Sequence, residues 1–423
     1  MTQSNTLRKF VTAAGAAAAL AGGSALAGDY GKAIIDDKMP IEDSWSLCDI
    51  FDYSTLYEGE SGFIKEIALT GRYHGQHISQ QEDYAGNVNN GYHKWQHRRA
   101  RLGLDIEFAG GVTLYSSLNV SNGSGPGTPF TTGRFFDDFD EVGIEWETDS
   151  FAINVGKQKQ KITREFSTSS KRIKTIERSP IVNEIADQKP WGVTVGFETG
   201  EIEHTIGGWL YGSDDDWNTP RSNSRGGFSY HLEMAVTDKT DFLLDYVYTN
   251  NSGGTVGAQG NAPGGNASPY EHAVSFGTVS DFGRLGLTTD LIFAANRTSQ
   301  RGDASISQGS RTTIPAGNDT WGFVIMPTYE ITEKLEAVFK YAYMDEGRQQ
   351  RTQRFGYNSA NGFDGQVRQV VESYHTIYAG LNYYLCKDKA KVMFGYEYAT
   401  GEEYDTGTSI DSGTWMAAFR TYF

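Results

Sequence analysis

The sequence predicts an all-β fold: a transmembrane antiparallel β-barrel of sixteen strands whose third long loop folds into the lumen. Three observations carry that expectation. Apolar and polar residues alternate with a period of two in one segment after another, which places alternate side chains on opposite faces of a sheet. The 423-residue chain has a mean hydropathy of −0.49 and lacks the run of about 18 apolar residues that a membrane helix needs. Short and long connections also alternate along the chain, which is the sidedness of an outer-membrane barrel.

In chain order, residues 1–27 read as a signal peptide. Arg8 and Lys9 precede a small-apolar run from Val11 to Leu20, and Ala25-Leu26-Ala27 supplies the small-x-small cleavage site. The whole chain has 37 basic and 53 acidic residues, a net charge of −16; cleavage after Ala27 removes two basic residues and leaves −18. Such acidity argues against nucleic acid as a partner. Residues 28–61 show no clean period and form an N-terminal periplasmic extension. Residues 62–423 form the barrel.

Alternation is clearest from Trp95 to Phe108. Ala100, Leu102, Leu104, Ile106 and Phe108 share one face, while Trp95, His97, Arg99, Arg101, Gly103, Asp105 and Glu107 share the other. An apolar face toward lipid and a charged face toward water is the dyad pattern of a membrane strand. The same pattern recurs in Val112–Val120, in Val142–Trp146, in Trp191–Phe197 and around Phe242–Tyr248, Leu335–Tyr343 and Val392–Tyr398. Pro327 interrupts one such run and predicts an irregular ladder there, because proline has no N–H to give. The last strand places Trp415, Ala417, Phe419 and Thr421 on the face of the terminal Phe423.

Tight turns are predicted at 109–111, 148–150, 199–201, 237–240, 281–283, 331–334 and 387–389. Long polar connections are predicted at 75–94, 121–138, 158–190, 212–226, 250–268, 298–319, 346–371 and 401–411. The third of these is the most unusual stretch in the chain. From Lys157 to Arg178 it carries Lys157, Lys159, Lys161, Arg164, Lys171, Arg172, Lys174 and Arg178 against Glu165 and Glu177, with hydroxyls such as Ser169 and Ser170 between them. A long loop without regular period is uncommon in a compact domain and is usually functional. Together with Arg99 and Arg101 on the wall, these residues are the candidate pore-lining and anion-binding groups, since rings of basic side chains favour anions.

Other chemistry is sparse. Cys48 and Cys386 are too few for a C-x-x-C metal site. Both fall on the periplasmic side, where disulfides persist, so a bridge that pins the extension beneath the barrel is permitted. No phosphate loop and no nucleophile elbow occur. The histidines His74, His77, His93 and His97 and the runs Asp137–Asp140 and Asp214–Asp216 read as loop and rim groups rather than metal ligands. No cofactor and no enzymatic activity are expected, although an outer-membrane enzyme and a binding receptor are the rival classes.

With RRARLGLDIEF (Arg98–Phe108), FAINVGKQKQK (Phe151–Lys161) and SSKRIKTIERS (Ser169–Ser179) in view, the chain resembles the phosphate-selective porin O and P family over roughly residues 64–423. The resemblance implies an outer-membrane channel for passive diffusion of small solutes, sixteen-stranded and homotrimeric, with an inward third loop and arginines on the wall. Its partners would be small anionic solutes, phosphate among them, and outer-membrane lipid. The acidic face of Asp105, Glu107, Glu141, Glu145 and Glu147 opposes a purely anionic path, so a general diffusion porin with a transverse field is the alternative.

Overall fold

The structure, a computed structural model, describes residues 47–84, 87–121, 138–185, 189–213, 220–250, 270–297, 319–348, 370–403, 407 and 409–423. The signal-peptide reading and most of the extension lie outside these residues.

A 3-10 helix, Leu47–Ser54, and a short strand β1, Thr55–Glu58, precede the barrel. Its first eight strands are β2 (Ile64–Tyr84), β3 (Asn87–Phe108), β4 (Val112–Ser121), β5 (Asp138–Glu147), β6 (Phe151–Lys157), β7 (Trp191–Thr199), β8 (Ile202–Ser213) and β9 (Pro220–Thr237). The other eight are β10 (Thr240–Thr249), β11 (Tyr270–Asp281), β12 (Leu285–Arg297), β13 (Thr320–Thr332), β14 (Leu335–Arg348), β15 (Val370–Tyr384), β16 (Ala390–Glu403) and β17 (Ser409–Tyr422). Each pairs antiparallel with its sequence neighbour, and β17 pairs with β2 from Ile410↔Tyr84 to Tyr422↔Arg72, which closes sixteen strands into a barrel. Closure satisfies the edge backbone that lipid cannot.

The two faces divide by polarity. Leu69, Leu102, Ile144, Val193, Phe276, Phe339, Phe394 and Trp415 are exposed on the outside. Gln76, Asn154, Asp245, Asp290, Lys340, Lys391 and Arg420 are buried on the inside. Against the ordinary barrel pattern, part of the inner wall is apolar, and there the loop docks.

Three connections are shorter than the sequence predicts. The stretch 75–94 is not a loop: β2 and β3 continue through it as a hairpin and leave 85–86 between them. Likewise 212–226 contracts to 214–219, because β9 begins at Pro220, and 401–411 contracts to 404–408. Beyond the bilayer a strand meets water on both faces and needs no alternating apolar residues, so hydropathy cannot detect it.

The face assignment of Trp95 and His97 also changes. The β2–β3 ladder slips where His74 pairs with Arg99 and Gly75 with His97. That bulge inserts Arg98 as an extra residue and reverses the alternation above it. Arg98 therefore joins Arg99 and Arg101 on the inner side, while Trp95 is 52% exposed and packs edge-on against His97, which bonds the Tyr73 hydroxyl at 2.7 Å. At Pro327 the β13–β14 ladder passes from Ile325↔Tyr341 to Thr328↔Val338 and skips two residues.

β1 pairs with the lower part of β2, Glu58 opposite Glu66, below the point where Phe423 ends its exchange of backbone bonds with Gly71. It thus takes over the edge that β17 leaves. Cys48 is bonded to Cys386 in the β15–β16 turn, with Cα atoms 5.4 Å apart across a separation of 338 residues. A bridge closing so long a loop stabilises mainly by restricting the unfolded chain, by about 2–4 kcal/mol. Cys48→Ser should therefore lower the heat-modification midpoint of the folded barrel on a gel by several degrees, and reductant should do the same to the native chain. Equal midpoints would show that the bridge adds nothing to closure.

Candidate functional site

The connection between β6 and β7 crosses the barrel interior. It contacts β2 and β3 through Arg72, Gln76 and Arg98, β12 through Asp290, β14 through Glu336 and Lys340, β15 through Asn382, β16 through Lys391 and β17 through Arg420. All of these project from the inner wall, so a segment that touches them lies within the barrel.

Two short helices shape it: α1, Arg164–Ser167, and α2, Pro180–Ile185. Thr163 caps α1, its Oγ1 accepting from Phe166 N at 3.1 Å, and stands at φ 59°, a costly conformation for a β-branched residue. The Asp290 carboxylate holds that geometry by accepting from Arg164 N at 2.8 Å and Glu165 N at 3.0 Å. Apolar docking completes it. Ile162, Phe166, Ile181, Val182 and Ile185 pack on Val247, Ile292, Val324, Ala342 and Met344, and Ile176 packs on Ile78, Met326, Val338 and Met393. Gly322 permits the approach of α2, since a Cβ there would lie 2.9 Å from Ile181.

A buried loop must find donors for its carbonyls. The wall supplies them: Lys340 Nζ donates to Glu177 O at 2.9 Å, Lys391 Nζ to Ile173 O at 3.0 Å, Asn382 Nδ2 to Lys174 O at 2.8 Å, and Arg420 Nη2 to Ile176 O. Lys340 also pairs with Glu165 Oε1 at 3.0 Å, and the other carboxylate oxygen of Glu165 accepts from Ser179 N at 3.0 Å. Glu177 accepts from Arg98 Nε and Gln76 Nε2, both at 2.9 Å. Burial raises the Glu177 pKa, but Arg98, by charge and hydrogen bond, together with Arg99 and Gln76, takes it down to about 2. A depressed carboxyl contributes stability that is complete above its unfolded pKa of about 4 and is lost as pH falls toward 2, so this tie survives mild acid.

The twelve predicted site residues separate into different roles. Lys159 and Arg178 are turned inward on the loop itself: Lys159 Nζ donates to Thr168 O at 3.0 Å, Arg178 Nη2 to the same oxygen at 2.9 Å, and both sit over the Phe166 ring. Burial and neighbouring cations, Arg98 among them, lower Arg178 to about 10 even though Glu165 offsets part of the shift. Lys157 donates to Phe139 O at the end of β6. Arg164 lies 3.6 Å from Glu233, and Lys174 pairs with Glu336 at 2.8 Å. Ser169 accepts from Lys171 N through its hydroxyl, and Ser170 Oγ accepts from Arg72 Nη1 at 2.7 Å. Arg101 pairs with Asp140 at 2.7 Å, and Lys189 holds the same carboxylate. Arg99 meets His74 Nδ1 at 3.5 Å. Lys161, Lys171 and Arg172 remain half-exposed, Lys171 over the Tyr422 ring and Lys161 near Thr205 Oγ1.

Sequence reading missed Arg72, Arg98, Asp290, Lys340, Lys391 and Arg420. All but Arg98 are charged residues at inward positions on strands, and that placement was the available signal; Arg98 is turned inward by the bulge and had none. His74 and His77 stand on opposite faces of β2, one buried and one exposed, so they do not converge on a common ligand. Asp214–Asp216 lie outside the described residues.

Burial, with Arg72 beside it, lowers Lys171 to about 8, although Asp105 and Glu141 oppose the shift. Its positive charge is held below that pH and lost above it. Any anion preference of the channel should therefore weaken between pH 7 and 9, and Lys171→Gln should remove that step from the pH profile of the reversal potential.

No curated protein matches the chain in sequence. Many solved structures share its architecture, three of them as follows. The outer membrane channel DcaP of Acinetobacter baumannii aligns at TM-score 0.53 and 10% identity, over 87% of this chain and 99% of that one. OmpF of Salmonella typhi, in complex with daunomycin, aligns at 0.52 and 13% over 86% and 99%. The anion-selective porin from Comamonas acidovorans aligns at 0.50 and 13% over 84% and 99%. At these identities the likeness is one of fold. In sequence, residues 67–261 match the family Phosphate-selective porin O and P, a span that runs from β2 into the connection after β10 and includes the whole basic loop. Over those residues, just under half of its length, the chain is similar to the phosphate-selective porin O and P family, and its closed sixteen-stranded barrel is that of the porins of the bacterial outer membrane.

Proposed function

We propose that this protein is a water-filled outer-membrane channel through which small solutes diffuse passively, with anions preferred and phosphate among them. The carrying observation is the facing of two basic surfaces. The loop presents Lys171 and Arg172, and the wall beside Lys171 presents Arg72, which donates to Ser170 of the loop. Among the described residues no carboxylate lies within ion-pair distance of Arg72. Guanidinium forks suit oxyanions, and lysines act as point charges. The family's description as phosphate-selective and the anion selectivity of the Comamonas porin support the same reading. Asp105, Glu141 and Glu145 on the β3–β5 wall oppose it and keep the preference moderate.

The working unit is a homotrimer, as is typical of porins, and the mature chain begins at Gly28, with the extension beneath the barrel. A channel assigns the protein to transport rather than to a reaction. The test is the reversal potential of the purified protein in a planar bilayer under a potassium chloride gradient, followed by addition of phosphate. Anion selectivity with phosphate block of the chloride current is expected. A cation-selective or unselective channel would leave a general diffusion porin with a transverse field. N-terminal sequencing and native mass determination check the cleavage site and the trimer.

A further inference from the structure

The 3-10 helix and β1 carry large apolar side chains that the described residues leave uncovered. Ile50, Tyr53, Leu56 and Tyr57 fall close together in sequence, and all four are exposed. Tyr53 is 74% exposed, against 51% for Trp415 on the outer face of the barrel. Keeping such side chains in water is unfavourable, so a contiguous apolar patch marks contact with another phase or molecule.

Two ties fix where the patch sits. At one end Cys48 is bonded to Cys386, which follows the exposed Leu385 at the β15–β16 turn. At the other, β1 is hydrogen-bonded to β2, and Gly59 N donates to Lys65 O at 2.8 Å to close the turn between them. Only β16 and β17 separate these anchor points, so the segment follows the periplasmic rim past the end of β17 instead of crossing the mouth.

The register shows which way it faces. Thr55 lies opposite Ala68, which is buried on the inner side, but Tyr57 lies opposite Ile67, on the same face of β2 as the lipid-facing Leu69. Directly opposite residues share a face of the sheet. Leu56 is the extra residue of a bulge, and the bulge turns Tyr57 outward where plain alternation would have left it on the face of Thr55. Tyr57 thus extends the outer column of Leu69 and Ile67 below the wall. Phe63 does the same on the β3 side: it is exposed, and its ring centroid lies 5.1 Å from that of Phe108, the last apolar residue of β3.

We infer that the 3-10 helix and β1 form a lipid-binding foot, which lays Ile50, Tyr53, Leu56 and Tyr57 on the phospholipid of the inner leaflet and fastens the base of the seam between β17 and β2. Continuity with the lipid-facing wall favours phospholipid over a protein partner. Tyrosine suits this boundary, since its ring is apolar and its hydroxyl can stay wet. The inference rests on the barrel's place in the outer membrane and is independent of its ion preference.

The test uses the full-length, oxidised channel in nanodiscs of phosphatidylethanolamine and phosphatidylglycerol, which leave both mouths open to reagents. Tyr53→p-benzoylphenylalanine and Tyr57→p-benzoylphenylalanine, once irradiated, should each gain the mass of one phospholipid, as should the same substitution at Phe394 on the outer wall. At Thr205, inside the barrel, it should gain none. Ile50→Asp should leave a heat-modifiable barrel but raise chymotryptic cleavage after Tyr53 and Tyr57 by at least about tenfold, the factor that burial of an isoleucine implies. Ile50→Leu should keep the native rate. Absence of lipid adducts at both tyrosines, with the Phe394 position positive, overturns the proposal. So does an adduct of twice the chain mass, which would make the patch a contact between copies. Irradiation of the same variants in intact outer membranes tests the remaining occupant, and adducts with another protein in place of lipid overturn the proposal as well.

Discussion

Lys340→Met should release the loop from the wall and enlarge the pore without unfolding the barrel. Lys340 is 1% exposed and its ammonium serves Glu165 Oε1, Glu177 O and Thr175 Oγ1 together. Removing it strands a buried carboxylate and a buried carbonyl. Breaking a buried pair from one side costs about 3–5 kcal/mol. Sixteen strands do not depend on this contact, so the cost falls on local opening of the loop. Tryptic cleavage in the loop should rise by at least about a hundredfold, as that energy dictates when opening precedes cleavage. Single-channel conductance should increase and become noisy. Lys340→Met/Glu165→Gln should recover much of the native behaviour, because neither member of the pair is then left charged and alone. A protease-resistant Lys340→Met channel with native conductance would show that apolar packing alone holds the loop.

Lys171→Gln/Arg172→Gln/Lys174→Gln should abolish or reverse anion preference, and by more than its three lost charges imply. Lys174 is paired with Glu336, whose side chain is only 4% exposed. Removing Lys174 takes away a cation and also unmasks a carboxylate, so the wall changes sign there. A unit charge about 7 Å from the ion path is worth roughly 0.6 kcal/mol in water-like surroundings. Two such charges shift anion occupancy by about sevenfold, so Lys171→Gln/Arg172→Gln should weaken the preference and the triple change should go further. High salt should compress the difference. Lys159→Gln/Arg178→Gln is the informative control. These cations are spent on Thr168 O and the Phe166 ring, and their loss should loosen the loop rather than alter the reversal potential of channels that remain closed around it. Equal selectivity in the triple variant and the native channel would remove the loop from the account of selectivity.

Much of this architecture was legible because a bilayer imposes a strict rule on composition. Wherever a strand crosses lipid, its outer residues must be apolar, so Leu102, Leu104 and Ile106 declare their face without any partner being known. The turns at 109–111, 148–150 and 387–389 declare themselves in the same way, since little chain is available to do anything else. Where lipid ends, the rule ends. The hairpin continuing β2 and β3 past residue 75 left no mark in hydropathy, and the bulge at Arg98 left none either, because it depends on how β3 registers against β2 and not on the residues around it.

The basic stretch was equally plain as a concentration of charge, and its composition alone marked it as a segment unlike the strands. Its roles were not plain. Lys159 and Lys171 are the same residue type twelve positions apart; one is buried holding a loop carbonyl and the other is half-exposed. Asp290, Lys340, Lys391 and Arg420 are single inward residues on four strands, separated from the loop by more than a hundred positions, and only closure of the barrel brings them to it. Local periodicity follows from a solvent that every strand meets independently. The partners of a buried polar group follow from which distant residues share its enclosure, and that is set when the sixteen strands close.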